Sequence, residues 1–411
     1  MSLLGAICGA DGWEALELFA AYRAEFFATF LSMPKGTPSA DTFRRVFEAL
    51  DPRAFQEAFR RWLTPVLEDL EGQSIALDGK TLRGALAHAA GKPGSFHLLH
   101  VWATEQRVLL GQTAIEGAPG EPEAALELLK LLDVRGTTVT ADANFCTSAL
   151  TEAIQAAGAD FVISLKANRE ALYTHVKAVF AKAEAAGYPR IKVAESSDDE
   201  HGRLEARVVR AMPLGPLPPS IKAPWTGIRS IVQVDRVRAA DGISIARAFY
   251  VTSHRASSKR LAERIRGHWG IENQLHHCLD VTFGDDKRRI RSANGTQNFA
   301  LVTRYALSML KREPSKMSVA MKRRKAAWAA TYFLDVLASG MPSVQMRSPC
   351  GGARRGGRLP LQSGARSRLA PSRARRSLAW ARVADRPGLR QHGPARVMPE
   401  ARHIRHHSPE G

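Results

Sequence analysis

The pattern of apolar and polar positions predicts that the chain begins with helices. In GWEALELFAAYRAEFFATFL, apolar residues recur every three or four positions, which is typical of one amphipathic helix. The polar stretch PKGTPSA interrupts this pattern, and DTFRRVFEAL and PRAFQEAFRRWLTPVLEDL then continue it. We therefore expect an N-terminal helical region over residues 1–72.

The pattern changes at Ser74, where strands begin to alternate with helices. SIALDGK predicts a short buried strand ending on Asp78, and further strands are predicted in FHLLHVWA, RVLLGQTAI, GTTVTADA and DFVISLK. The segments EPEAALELLKLLDV, SALTEAIQAAG and ANREALYTHVKAVFAKAEAAG predict helices. This alternation indicates an α/β fold over residues 73–190, with strands buried on both faces.

The remainder of the chain has two patterns. Residues 191–254 are polar and interrupted by prolines, and EARVVRAM, IRSIVQVDRVR and ISIARAFYVTS predict a β-strand insertion. Residues 255–340 are helical again, beginning with the single long segment SSKRLAERIRGHWGIENQLHHCLDV. No run of eighteen apolar residues occurs in the sequence, so we expect no membrane partner.

Composition favours a cytoplasmic protein with a sizeable core. The chain has 411 residues, of which 45% are hydrophobic. Its opening segment lacks the basic leader of an export signal and reaches an acid at Asp11. The four cysteines stand far apart without a C-x-x-C pair, which argues against both a disulfide framework and a zinc knuckle; they are Cys8, Cys146, Cys278 and Cys350.

The net charge of +19 lies mostly in one segment. Residues 341–411 hold 15 Arg, no Lys and 3 acids, so their local charge is +12 and the rest of the chain carries +7. The segment is rich in Arg, Gly, Pro and Ser without apolar periodicity, which predicts a disordered tail. Two interpretations stay open: a basic arm that grips phosphates, or an out-of-frame extension.

Three separated carboxylates are candidate ligands for a divalent cation. Asp78 and Asp142 each close an apolar strand pattern, and strand ends in open α/β sheets form crevices that bind ligands. Either aspartate alone could instead cap a loop or helix. The third acid, Glu272, lies in the long amphipathic segment, where i, i+4 spacing places His268, Glu272 and His276 on one helix face.

Oxygen ligands of this kind suit Mg²⁺ or Mn²⁺ better than zinc. The histidines lack the H-E-x-x-H spacing of a zinc site, and we expect structural roles for His277 and Cys278. Two hard cations held by three carboxylates would support an in-line displacement at phosphorus, the chemistry that breaks and joins nucleic-acid strands. Trp269 next to this site is either a core residue or a stacking platform for bases.

Several motifs together resemble a DDE transposase of bacterial insertion sequences, in the H-repeat-associated branch. They run in order from about Leu3 to Ala338: PSADTFRRVF, ALDGKTLRG, VTADAN, FVISLKAN, HGRLEARVV, IRGHWGIENQLHHCLDVTFGDDKRRIR and QNFALVTRYALSMLK. The resemblance implies an RNase H-like core in which Asp78, Asp142 and Glu272 are the catalytic acids. It also implies double-stranded DNA as the partner, both the terminal repeats of the element and the target, and a homodimer in a synaptic complex.

Polar residues near the acids are candidates for DNA contacts, although for each cation alone a solvated surface charge is the simpler interpretation. They are Lys80, Arg83, Lys166, Asn168, Arg203, Arg264, Arg266, His268, Trp269 and Asn273, of which Arg264, Arg266, His268 and Asn273 match the polar helix of the family. We expect no catalytic role for Asp280, Asp285 or Asp286, since Asp285 and Asp286 precede KRRIR and can pair with it.

The sequence departs from the family pattern in three places. Its N-terminus begins late, the tail beyond Ala338 matches nothing, and QTAIEGAPGEPEAALELL lacks the Lys-Ser-Asn-Glu that the family often shows before this helix. Three other functions therefore remain open: a nuclease with the same core, a decayed or recruited DNA-binding protein, and a basic structural protein.

Overall fold

The computed structural model describes residues 1–63, 70–86, 95–115, 120–189, 191, 193–200, 203–219, 221, 225, 227–239 and 243–340. The tail 341–411, for which the sequence predicts disorder, lies outside these residues. Within the described ranges, no helix combines the length and the apolar character needed to cross a membrane.

The chain begins with helices, as its apolar periodicity predicts. They are α1 (Ser2–Cys8), α2 (Trp13–Tyr22), α3 (Ala24–Ala28), α4 (Ala40–Ala49) and α5 (Pro52–Leu63). The single helix predicted from GWEALELFAAYRAEFFATFL is wrong, because the backbone leaves the helical region at Arg23, with φ −108° and ψ 18°. Arg23 instead donates to the carbonyl of Ala327 at 2.9 Å, which fixes the break by a tertiary contact.

A mixed sheet follows, which confirms the α/β prediction. Its strands are β1 (Ser74–Leu86), β2 (Ser95–Ala103), β3 (Val108–Ile115), β4 (Thr138–Ala141), β5 (Asp160–Leu165), β6 (Val193–Glu200), β7 (Arg203–Pro213), β8 (Ser230–Ala239) and β9 (Ile243–Thr252). Their order is β3-β2-β1-β4-β5-β9-β8-β7-β6. Strand β4 pairs in parallel with β1 and β5, whereas β2 is antiparallel to both β1 and β3.

Strand β1 does not end at Asp78, so that part of the sequence prediction is wrong. The strand continues for eight residues beyond Asp78 because its antiparallel pairing with β2 extends to Leu86. The parallel pairing with β4, in contrast, stops at Leu77 opposite Ala141. Asp78 therefore lies where a neighbouring strand ends and its own strand continues.

Helices cover this sheet on two sides. The first set is α6 (Glu121–Lys130), α7 (Ser148–Ala156) and α8 (Glu170–Ala185), and the second is α9 (Ser258–His268), α10 (His277–Thr282), α11 (Ala293–Arg312), α12 (Val319–Trp328) and α13 (Ala330–Gly340). Successive strand residues face opposite sides. Leu77 and Val101 accordingly join the core with α6 to α8, whereas Ala76 and Trp102 join the core with the N-terminal helices and α11.

The outer parts of the four later strands form a second compact unit, Glu195–Arg207 with Asp235–Ala246. Within it, the carboxylate of Glu205 accepts from Arg238 at 2.9 Å and also pairs with Arg207. One acid thus balances cations from two different strands.

A buried charge network anchors α11 to the sheet. Arg304 is fully buried, and its guanidinium donates to Asp285 Oδ2 at 2.9 Å and to His100 Nε2 of β2 at 2.8 Å. Asp285 also accepts from Arg288 at 2.8 Å. Burial raises the pKa of Asp285, but the two guanidinium groups outweigh this effect and hold the pKa below its usual value. The expected pairing of Asp285 with KRRIR is therefore confirmed through Arg288.

Two glycines in β1 meet different kinds of neighbour. A methyl group at Gly84 would lie 2.5 Å from the carbonyl oxygen of Arg288 and 2.6 Å from that of Asp286, so backbone atoms would have to move. A methyl group at Gly79 would collide only with the ends of the Glu121 and His97 side chains. Backbone displacement costs more than side-chain rearrangement in a packed region.

The substitution Arg304→Ala is expected to lower the free energy of unfolding by about 3–5 kcal/mol, because it leaves a buried carboxylate short of one charge partner. Chemical denaturation followed by circular dichroism measures this loss. The matched control is Arg324→Ala, which removes an exposed arginine and should change stability by less than about 0.5 kcal/mol. Equal stability of the two variants would contradict a structural role for the network.

The substitution Gly84→Ala is expected to destabilise the fold by about 1–3 kcal/mol, because the new methyl group meets fixed backbone. Gly79→Ala should cost less, since only the ends of two side chains must shift. Thermal unfolding of the two variants side by side gives the comparison. A larger loss for Gly79→Ala than for Gly84→Ala would show that the close approach at Gly84 is wrong.

Candidate active site

Asp78 and Asp142 lie side by side because of the strand register. Leu77 pairs with Ala141 across β1 and β4, and each aspartate is the next residue of its chain. Parallel neighbours lie about 4.8 Å apart and residues in register face the same side. Asp142 follows β4 directly, which confirms the prediction of a strand-end acid. Its backbone is extended and the residue is exposed.

The segment around Glu272 is not a regular α-helix. Helix α9 ends at His268, a π-helical turn spans Glu272–His276, and α10 begins at His277. The uninterrupted helix predicted from the apolar spacing is therefore wrong, because a π turn inserts an additional residue and changes the phase of the side chains. Such turns occur frequently at functional sites.

The two histidines flanking Glu272 contact the sheet. His268 Nδ1 lies 3.1 Å from Thr140 Oγ1 in β4, and His276 Nδ1 lies 3.4 Å from Asp78 Oδ2 in β1. Burial lowers the pKa of His276 to about 3, so this ring is neutral at pH 7. Glu272 itself is exposed. The two histidines contact the strands that carry the aspartates, and the charge of the exposed Glu272 acts on Asp78, so all three residues face the same edge of the sheet.

The electrostatics of Asp78 show which acids come together. Burial, followed by the negative charges of Asp142, Glu121 and Glu272, raises the pKa of Asp78 to about 7. The backbone N–H of Gly79 opposes this effect by donating to Asp78 Oδ1 at 3.0 Å. The structure therefore brings Asp142 and Glu272 within electrostatic reach of Asp78 and adds Glu121 to them.

The acids do not form a closed coordination shell. Among the described residues, no three His, Cys, Asp or Glu side chains converge closely enough to hold a metal ion. The donor set nevertheless fits a hard cation, because it offers carboxylate oxygens and because the negative charges of Asp142, Glu121 and Glu272 add to burial in raising the pKa of Asp78.

Sequence analysis did not identify the role of Glu121. This residue opens α6, and its Oε1 lies 2.6 Å from His97 Nε2, while Thr81 Oγ1 lies 2.8 Å from His97 Nδ1. Its Oε2 accepts from Asn144, two residues after Asp142, at 3.4 Å. The hydrogen bond from His97 holds the pKa of Glu121 below its usual value. The only signal in the sequence was an acid in the first turn of a helix, where acids are common.

The two basic residues that follow Asp78 differ in exposure. Lys80 is buried and its Nζ donates to Asp280 at 2.6 Å, with Asp286 at 4.0 Å. Arg83 is 83% exposed and lies 3.8 Å from Asp286. Asp286 therefore pairs with residues of β1, whereas the sequence suggested the KRRIR segment.

Lys166 and Asn168 follow β5 at the same edge of the sheet as Asp142. Both are exposed, and Asn168 Nδ2 donates to the carbonyl of Ala143 at 2.9 Å. Because the parallel strands β4 and β5 end at the same edge of the sheet, these side chains lie on the side where Asp142 is exposed.

The other predicted DNA contacts are distributed along the helical segment. Arg264 is directed towards the start of β1, with Ser74 Oγ at 3.4 Å and the Gly72 carbonyl at 3.5 Å, which is several residues before Asp78. Arg266, Trp269 and Asn273 are exposed, and the exposed fraction of Trp269 is 40%.

Three further sequence predictions concern individual side chains. The side chain of Arg203 lies outside the described residues. Cys278 packs against the helical core, as expected of a structural residue. His277 is exposed at the first position of α10, and its expected structural role stays a prediction.

Comparison with known proteins identifies the family of this chain. Residues 70–309 match the family described as "Transposase DDE domain", and residues 1–63 match the one described as "DDE_Tnp_1-associated". The chain is 31% identical to "Putative transposase YncI" of Escherichia coli O157:H7, over 82% of this chain and 88% of that protein. It is 28% identical to "H repeat-associated putative transposase YhhI" of Escherichia coli (strain K12), over 82% and 90%.

A solved structure also resembles the chain. It is the cryo-EM structure of a piggyBac transposase synaptic complex with hairpin DNA, at 11% identity and a TM-score of 0.36, covering 84% of this chain and 74% of the other. The family match spans more than half of the sequence and includes β1, β4 and the π turn. The protein therefore belongs to the DDE transposase family.

Proposed function

We propose that this transposase cleaves and joins DNA strands at the ends of an insertion sequence, with Asp78, Asp142 and Glu272 as its catalytic acids. The observation that carries this proposal is the parallel register that sets Asp78 beside Asp142, together with the charge of Glu272 acting on Asp78. The match to the DDE family supports the same assignment.

The three carboxylates are the residues that would hold divalent cations, Mg²⁺ or Mn²⁺. Two such ions would activate the attacking oxygen and stabilise the leaving 3′-oxygen in an in-line displacement. The chain itself supplies no nucleophile in this scheme. Its contribution is to position carboxylate oxygens and phosphate groups before the reaction begins.

Each acid is positioned by a different part of the fold. Asp78 is held by the Gly79 N–H and lies against His276, and Asp142 is fixed by the end of β4. Glu272 stands at the first position of the π turn, where its exposure leaves its carboxylate accessible to solvent and substrate. We assign Glu121 and His97 to positioning, because they pack against the backbone of Gly79 beside Asp78.

The fold and the partners follow from the same proposal. The mixed part β3-β2-β1-β4-β5, with helices on both sides, supports an RNase H-like core. The substrate is double-stranded DNA at the element ends and at the target, and a homodimer brings the two ends together. Exposed residues near the acids then contact DNA: Arg83, Lys166, Asn168, Arg266, Trp269 and Asn273. Arginine and lysine bind phosphates, while an aromatic ring can stack on an unpaired base.

Replacement of any one acid is expected to abolish DNA cleavage without abolishing DNA binding. The rate of cleavage should fall by about 10²-fold or more in each of three variants, Asp78→Asn, Asp142→Asn and Glu272→Gln. Each substitution removes a negative charge that would hold a divalent cation, and such a cation stabilises the transition state by several kcal/mol. The measurement is Mg²⁺-dependent cleavage and strand transfer on DNA that carries the element's own terminal repeats.

The matched controls are Asp133→Asn and Glu263→Gln, which remove exposed acids remote from the strand ends and should retain full activity. Normal cleavage by Asp142→Asn would remove that residue from the site. Cleavage without joining would identify a nuclease. DNA binding by a wild-type protein that never cleaves would identify a DNA-binding protein without catalytic activity.

Deletion of residues 341–411 is expected to leave both DNA binding and cleavage within about twofold of the full chain. The reason is that all three acids and the whole of the family match precede residue 341. Binding and cleavage assays on a chain ending at Gly340 give the comparison. A loss of affinity that grows with falling salt would show instead that the tail is a functional basic arm.

A further inference from the structure

A basic cleft lies between the end of α11 and the start of α12. Its volume is about 550 Å³, and its lining includes Arg107 from the turn between β2 and β3, Lys311, Arg312, Lys316 and Ser318. These residues come from two segments of the chain, the turn with Arg107 and the stretch from Lys311 to Ser318. The fold brings the charge of Arg107 to the cations of the second segment.

Most of this positive charge is not neutralised. Among the described residues, no carboxylate lies within ion-pair distance of Arg107, Lys311, Arg312 or Lys316. The one acid in the lining, Glu313, is already engaged by Ser315, Lys322 and Tyr332. Although burial raises the pKa of Glu313, these hydrogen bonds hold the pKa at about 2. The carboxylate therefore stays charged and remains bound to these three partners.

The polar end of a helix adds to this potential. Helix α12 begins beside the cleft, with Ser318 as its cap accepting from the Met321 N–H at 3.3 Å. The first turn of a ten-residue helix carries a partial positive charge. It therefore reinforces the attraction of the four cations for an anion.

The cleft adjoins the helical segment that carries Glu272. Lys311 interacts with Cys278, which lies two residues after the π turn. The strand turn that carries Arg107 also approaches this segment, because a methyl group added to Gly267 or Gly270, just before the π turn, would lie 3.6 Å from Thr104. The cleft therefore lies beside the same helical segment as Glu272, on the side of the turn between β2 and β3.

We infer that this cleft binds backbone phosphates of the DNA substrate and so fixes the duplex beside the catalytic segment. The ligand class follows from the excess of positive charge and from the exposed rim formed by Arg107 and Lys316, which suits an extended chain of phosphates better than one enclosed ion. The inference rests on the proposed function, since DNA is the partner in both.

The double variant Arg107→Gln/Lys316→Gln tests the inference with two exposed side chains, so the fold is retained. Each phosphate contact contributes about 0.9 to the slope of log K against log salt for duplex DNA. The slope for the variant should therefore fall by about 1.8, and adding Lys311→Gln should lower it by about another 0.9. Fluorescence anisotropy over a series of salt concentrations gives both slopes.

The matched control is Lys177→Gln/Lys182→Gln, which removes the same charge from the exposed face of α8 and should leave the slope unchanged. An unchanged slope for the cleft variant, while wild-type protein binds DNA, overturns the inference and leaves the proposed function intact. Wild-type protein that binds no DNA overturns both. Loss of inorganic phosphate binding in calorimetry, with an unchanged slope for DNA, would identify a free-phosphate site and also overturn the inference.

Discussion

The parallel pairing of β1 with β4 constrains the candidate active site more than any other contact. Four residue pairs fix its register, from Ser74 with Thr138 to Leu77 with Ala141. Alternate members of both strands are buried against α6 to α8, so a slip by one residue would carry apolar side chains to the wrong face. The same register sets the two aspartates side by side. The packing of the core therefore determines the geometry of the acids.

The buried charge network connects the second helical layer to the same strands. Arg304 bonds to His100, which pairs with Asp78 across the β-ladder, and the His100 ring lies 5.6 Å from that of His276. His276 in turn contacts Asp78. A single buried guanidinium thus supports both the attachment of α11 and the surroundings of Asp78, so the stability of the fold and the position of this proposed catalytic acid depend on the same side chain.

The sequence predicted those features that depend on local pattern. Apolar periodicity located the helices and strands, and Asp142 was found because a polar residue follows an apolar strand. Features that depend on tertiary contacts were missed. The length of β1 comes from its pairing with β2, and the π turn leaves no periodic pattern in the sequence. The proposed positioning role of Glu121 depends on its contact with His97, which is 24 residues away in the chain. The basic cleft was missed for a similar reason, because Arg107 joins Lys311, Arg312 and Lys316 only in the folded chain, while the tail dominates the net charge.

The π turn is the part of this segment that absorbs an extra residue. It holds one residue more than an α-helical turn, so removing one residue between Glu272 and His276 would restore regular α-helical spacing. His268 would then keep its contact with Thr140 and Leu279 its place in the core, and only the side chains within the turn would change direction. The extra residue therefore governs the orientation of Glu272 and its neighbours, while the packing of the flanking helices does not depend on it.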